Sequence, residues 1–208
     1  MKIVFASLIA YLLGSIPFPY IVTKLRTGKD IRQIGTKNMG SGNVFHNVGI
    51  FEGLIVLILD VGKGILATYI AYLMHFPHYA IAIVGFFAVL GHDYPIFLGF
   101  KGGKGAATTL GILIFISVVS LGSRGIPFLI IVISIYVVLL ILTRSQVVTL
   151  FFIFPVYPFL MYSFNKDWKL FIVNIIFMFF VEYTGFSTFK RDLTKVRENW
   201  RKKNEEER

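Results

Sequence analysis

Long apolar runs separated by short polar segments organise this chain. The first, IVFASLIAYLLGSIPFPYIV, covers residues 3–22. Others follow at roughly 48–75, 79–92, 106–121, 126–143, 147–163 and 170–183. They exceed the about 4–8 residues of a buried strand and approach the ~20 residues that cross a bilayer as a helix. Backbone left unpaired in hydrocarbon is too costly for an open alternative. The pattern therefore predicts an all-α fold, a polytopic transmembrane helical bundle of about seven spans. The first run is long, has a single lysine ahead of it and is followed at once by basic residues, so it reads as an uncleaved span. No linker, repeat or low-complexity segment interrupts the pattern before the charged end. One membrane domain over 1–189 and a basic tail over 190–208 are expected.

Composition agrees, and charge orients the bundle. Of 208 residues, 56% are hydrophobic and only 15% charged, too apolar for an ordinary soluble domain. Lys24, Arg26, Lys29, Arg32 and Lys37 follow the first span, Lys101 and Lys104 the third, Arg144 the fifth, and eight Lys/Arg lie from Lys190 onward. The opposite side holds Lys2, Arg124, Lys166 and Lys169, with Lys63 inside a span. Sixteen basic residues against four predict an outside N-terminus and a cytoplasmic C-terminus. The net charge of +10 is thus mainly a topology signal, and with the aromatics in the spans no nucleic-acid partner is expected. In the tail, Leu193, Val196 and Trp200 recur at helical spacing among Lys/Arg, as on an interfacial helix or a plain soluble one.

Three polar features fall on the predicted cytoplasmic side. The first loop, DIRQIGTKNMGSGNVFHN (30–47), combines Gly35, Gly40 and Gly42 with the short polar side chains of Thr36, Asn38, Ser41 and Asn43. Such a cluster suits an anion-binding nest, and equally a solvated loop. Asp60 and Lys63 lie one helical turn apart inside a span, where they neutralise each other and face a cavity or a packing partner. In FKGGKGAATTLG (100–111), Lys101, Gly102, Gly103, Lys104 and Gly105 precede a helix starting near Ala106, with Thr108 in its first turn. Glycines, lysines and a helix N-terminus together form a phosphate site, although a basic loop also suits anionic headgroups.

Several chemistries are excluded. The chain has no cysteine, so disulfides, thiolate catalysis and thiolate metal sites are absent. Gly105 follows Lys104 where a Walker loop needs Ser or Thr. His75 and His78 lie in an outer turn, HFPH, with no third ligand nearby, so no metal is expected. No histidine is followed by Asp five positions on, and no Gly-x-Ser-x-Gly elbow occurs. His46 and His92, beside the glycine-rich loops, are the histidines placed to meet substrate.

YLLGSIPFPYIVTKL (11–25), DIRQIG (30–35), LDVGKG (59–64) and GHDYPIFLGFKGGKGAAT (91–108) resemble the bacterial acyl-phosphate-dependent glycerol-3-phosphate acyltransferases, multi-span inner-membrane enzymes that make lysophosphatidate. The resemblance covers about the first 110 residues. Aligned without gaps from Asp30, GTKNMGSGNVFH pairs with the family's GSGNPGATNVLR. Asn38 and Asn43 match, Thr36 stands at the functional serine and His46 at the functional arginine. Imidazole lacks that guanidinium's permanent charge and fork. The family's C-terminal HRxNIxRLxxGTE-like segment has no counterpart in VEYTGFSTFKRDLTKVREN, where Glu182 is the nearby acidic residue.

The resemblance implies transfer of a fatty acyl group from acyl phosphate to glycerol-3-phosphate, in phospholipid biosynthesis at the cytoplasmic face of a bacterial inner membrane. Lys101, Lys104, the backbone of Gly102, Gly103 and Gly105, and Thr108 would hold the glycerol phosphate. Thr36, Asn38, Ser41, Asn43 and His46 would orient the acyl phosphate, Asp60 and Lys63 would line the site, and His92 would move a proton or touch substrate. No cofactor is implied, and an enzyme supplying acyl phosphate is a natural partner. Two other classes share these features: a paralogue with impaired catalysis or another acceptor, and a lipid or phosphate transporter built around Asp60 and Lys63.

Overall fold

The computed structural model describes residues 1–206. Its described residues form nine α-helices and no strand: α1 (Lys2–Gly14), α2 (Phe18–Thr27), α3 (Ser41–Asn47), α4 (Ile50–Leu73), α5 (His78–Asp93), α6 (Ala106–Leu121), α7 (Gly125–Thr143), α8 (Gln146–Asn165) and α9 (Trp168–Glu206). They divide into two compact units, Met1–Ser120 and Leu121–Arg208. The boundary falls beside a short 3-10 turn, Gly122–Arg124, which Gly122 enters at φ 56°.

Among the described residues, six helical segments are long and apolar enough to cross a membrane: Lys2–Thr27, Ile50–Leu73, His78–Leu98, Ala106–Thr143, Val147–Asn165 and Trp168–Lys190. The runs at 106–121 and 126–143 share one segment of 38 residues. At ~1.5 Å per residue it is nearly twice as long as a hydrocarbon core is thick.

The first span differs from its expected form. It is broken at Ser15–Pro17: Pro17 has no N–H to continue α1 and disfavours helical geometry at Ile16 before it, while Pro19 is tolerated in the first turn of α2. The Ile16 carbonyl, freed from helix pairing, accepts from the Phe18 N–H at 3.1 Å. The first polar loop also departs from expectation: α3 begins inside it at Ser41, after an extended Gly40. A small apolar floor of Ile31, Met39, Val44 and Val56, packed by Tyr20, Ile34 and Leu98, gives this loop a core of its own.

Within Met1–Ser120 the helices approach at glycines. A Cβ on Gly14 would strike the Ala88 carbonyl, one on Gly91 the Tyr11 carbonyl, one on Gly64 the Thr108 carbonyl and one on Gly111 the Val61 carbonyl. Pairs α1–α5 and α4–α6 thus touch main chain to main chain, the close packing that small residues permit between membrane helices.

The second unit is an aromatic assembly. Phe128 on α7 meets Tyr157 and Phe164 on α8 edge-on at 5.7 and 5.4 Å, and Phe151 on α8 stacks on Phe189 of α9 at 4.0 Å. Arg144 and Lys166, both left-handed, close the turns between these helices. The helix α9 continues unbroken through position 190, so the tail begins as its last turns. The side chains of Val196 and Trp200 lie outside the described residues.

Candidate functional site

The polar loops of the first unit meet at the end of α5. Its last residues, His92 and Asp93, are buried, and their carbonyls accept the N–H groups of Gly103 and Gly102, each at 3.1 Å. The lysine–glycine loop is therefore anchored to the helix end through its own main chain. A Cβ on Gly103 would meet both His92 Nε2 and the Met39 carbonyl, so the loops 30–47 and 100–105 touch there. A second bridge runs from Arg32 Nη1 to the Leu98 carbonyl at 3.5 Å. The Arg32 guanidinium also chelates Asp30, Nε to both oxygens at 3.1 and 3.0 Å and Nη2 to Oδ2 at 2.7 Å. These bonds hold the Asp30 carboxyl below its usual range.

Asn43 organises the first loop. Its buried amide donates to the carbonyls of Ile34 and Asn38 at 3.0 Å each, and more weakly to Ile31 at 3.4 Å. Its Oδ1 accepts the Thr36 N–H and Asn47 Nδ2, both at 3.0 Å. Every donor and acceptor of the side chain is taken up, so it shapes the loop and has no valence left for a substrate, unlike the contact expected from sequence. Replacing Asn43 with alanine is expected to leave the carbonyls of Ile34 and Asn38 without this donor, costing about 2–4 kcal/mol. Faster amide exchange over 31–38, with exchange in α8 unchanged, is the measurement that checks it.

Beneath the loops lies a buried cluster of charged and polar side chains. Lys63 Nζ is 2.8 Å from Asp60 Oδ1 and donates to the Ile16 carbonyl at 3.2 Å, with the Phe18 ring centroid 5.6 Å away. The break between α1 and α2 thus supplies an acceptor for the cation in the span. His92 Nδ1 stands 3.6 Å from the same Asp60 oxygen. Asp60 is fully buried and Lys63 nearly so, which places both in the packing under the rim instead of on a substrate surface. Thr108 is likewise buried, its carbonyl against Gly64.

The surface of the site consists of other residues. Thr36, His46 and Lys101 are exposed, and Asn38, Ser41, Gly102, Gly103 and Lys104 partly so. The N–H groups of Gly102 and Gly103 bond to α5, and the next backbone donors along the chain lie at the start of α6. There Gly105, at φ 64°, accepts the Thr109 N–H at 2.7 Å, and the N–H groups of Ala106, Ala107 and Thr108 have no partner within the helix. Sequence reasoning passed over Asp93. It is buried, acts electrostatically on Lys63, and its Oδ1 would lie 3.0 Å from a Cβ on Gly105. The signal was a carboxylate directly after His92 at a helix end. No cluster of three or more His, Cys, Asp or Glu suited to a metal occurs among the described residues.

A family model described as glycerol-3-phosphate acyltransferase matches residues 4–195. The glycerol-3-phosphate acyltransferase of Bacillus subtilis (strain 168) is 37% identical over 94% of this chain and 96% of its own length. Glycerol-3-phosphate acyltransferase 2 of Dehalococcoides mccartyi is 42% identical over 69% of this chain, and the Carboxydothermus hydrogenoformans relative 48% identical over 56%. Those two matches span 65% and 59% of the relatives' lengths. Among solved structures, PlsY, an integral membrane glycerol 3-phosphate acyltransferase, superposes in its glycerol 3-phosphate form with a TM-score of 0.80, at 28% identity over 94% of each chain.

Proposed function

This chain belongs to the glycerol-3-phosphate acyltransferase family, and we propose that it transfers a fatty acyl group from an acyl phosphate to glycerol-3-phosphate, releasing lysophosphatidate and phosphate. It is a multi-pass integral membrane protein. Reading Ala106–Thr143 as two crossings makes seven in all, with the N-terminus outside and the site facing the cytoplasm of a bacterial cell, in keeping with the charge asymmetry.

The observation that carries the reading is the meeting of the two polar loops at Gly103, above a helix N-terminus and beside Lys101 and Lys104. Glycerol-3-phosphate places its phosphate at this rim, between the lysines and the first N–H groups of α6. The acyl phosphate lies across the loop that Asn43 shapes, where Thr36, Asn38, Ser41 and His46 orient it, with its chain along the apolar helices. The glycerol hydroxyl oxygen attacks the acyl carbon, the bond from that carbon to the phosphate oxygen breaks, and the hydroxyl proton passes to the departing phosphate. Positioning supplies much of the rate, without a protein base. Any enzyme that forms acyl phosphates suits the role of donor supplier.

The transport reading loses its main support, since Lys63 is closed against Asp60 and Ile16 instead of facing a pathway. Purified protein given acyl phosphate and glycerol-3-phosphate is expected to yield lysophosphatidate and phosphate in equal amounts. Binding without turnover points instead to the impaired paralogue that His46 and the C-terminal segment would suit. Lys104→Ala is expected to lower kcat/KM for glycerol-3-phosphate about 10–100-fold, mostly through KM, because a charge-assisted bond to phosphate is lost. A folded variant with unaltered KM removes the phosphate from this loop.

A further inference from the structure

One side chain joins the buried network to the rim. The His92 ring has its Nδ1 edge toward Asp60 and its Nε2 edge beside the Gly103 turn, where an added Cβ would also meet the Met39 carbonyl. It is only 6% exposed, so its ring packs inside the protein and not on the open surface of the rim. We propose that His92 is a positioning residue: Asp60 orients its ring, and the ring holds the Gly103 turn, and with it Lys104, in place against the first loop. This rests on reading that loop as the glycerol-3-phosphate site, and it replaces the proton-transfer role expected from sequence.

The geometry supplies each link. Asp60 is held by the Lys63 ammonium, which is itself fixed by the Ile16 carbonyl at the break in the first span. A carboxylate facing Nδ1 keeps the hydrogen of a neutral imidazole on that nitrogen and sets the ring plane. The other ring edge then forms one wall of the space that Gly103 fills, and the Met39 carbonyl forms another. Only a residue without a Cβ fits between them. Tilting the ring would release the turn, and the lysine that follows it would lose its placement.

The experiment combines kinetics with a report on the loop itself. The chain has no native cysteine, so a nitroxide attached through Lys101→Cys reads loop mobility without any substrate. His92→Leu is expected to sharpen the nitroxide spectrum and raise KM for glycerol-3-phosphate about tenfold, with kcat within about threefold. His92→Asn, which keeps an N–H near the Nδ1 position, recovers the larger part of both effects. The paired change Asp60→Asn with Lys63→Met removes both charges of the buried pair together, which costs less than removing one, while the ring loses its carboxylate. It is expected to mimic His92→Leu in both readouts.

A fall in kcat at unchanged KM for His92→Leu would assign the ring to the chemistry and overturn the proposal. Unchanged label mobility in the paired variant would overturn it as well. If the wild-type protein proves inactive, a label freed by both sets of changes still supports the strut, so the two readings fail separately.

Discussion

Replacing Gly103 with alanine is expected to lower kcat/KM for glycerol-3-phosphate about a hundredfold, the scale of loss when reacting groups are misplaced by roughly an ångström. The added methyl group has no room. It would meet the main-chain oxygen of Met39, the Nε2 and, at 2.8 Å, the Cδ2 of His92. Neither neighbour gives way cheaply: Met39 is buried in the apolar floor of the first loop, and the imidazole is sealed behind Asp60. The turn itself must move, and the Gly103 N–H to His92 carbonyl bond is strained with it. Gly99 offers a control on the same connection, since a Cβ there meets nothing within 4 Å, although its φ of 62° makes any side chain mildly strained. Steady-state kinetics of both variants, beside their melting temperatures, checks the expectation. Equal effects at Gly103 and Gly99 would mean that general loosening of the loop, not the filled space, is responsible.

Lys63→Met alone is expected to destabilise the protein by about 3–5 kcal/mol, the cost of leaving a fully buried carboxylate without its cation. Asp60 is 0% exposed and the ammonium 2.8 Å away is its nearest compensating charge. Adding Asp60→Asn is expected to restore part of that loss, because the residue at 60 no longer carries a desolvated charge, although the buried Asp93 still lacks the lysine. The Ile16 carbonyl then gives up only one donor and keeps the Phe18 N–H. Denaturation of the single and double variants in detergent measures the coupling directly. Additive effects would show that the two side chains act independently, contrary to their contact.

The spans were legible because hydrophobicity alone fixes them: α4 and α5 lie within two residues of the runs at 48–75 and 79–92. What failed was local. Pro17 and Pro19 sit inside an otherwise apolar run, so the break at Ser15–Pro17 was hidden by its own hydrophobicity. The GSGN stretch has loop composition, yet Ser41 to Asn43 open a helix once the Asn43 amide ties down the carbonyls around it. That amide was read as a ligand contact because residue type shows bonding capacity, while only the folded loop shows what fills it. The DVGKG and GHDYP stretches hold Asp60, Lys63, His92 and Asp93, which the fold buries beneath the loops. Their depth was not readable, since it depends on Gly64 and Gly91 drawing the helices together.

Those main-chain seams separate what the bilayer sees from what the site needs. Val4, Phe5 and Leu8 on α1 and Ile58 on α4 point outward and take no part in the glycine contacts. Changes of bulk on that exterior pass to lipid and not to the neighbouring helix. The outer coat can therefore drift to suit a thicker, thinner or more fluid membrane, at small cost per ångström of mismatch. Registration of the inner polar rim is preserved while the chain adapts to its host lipids.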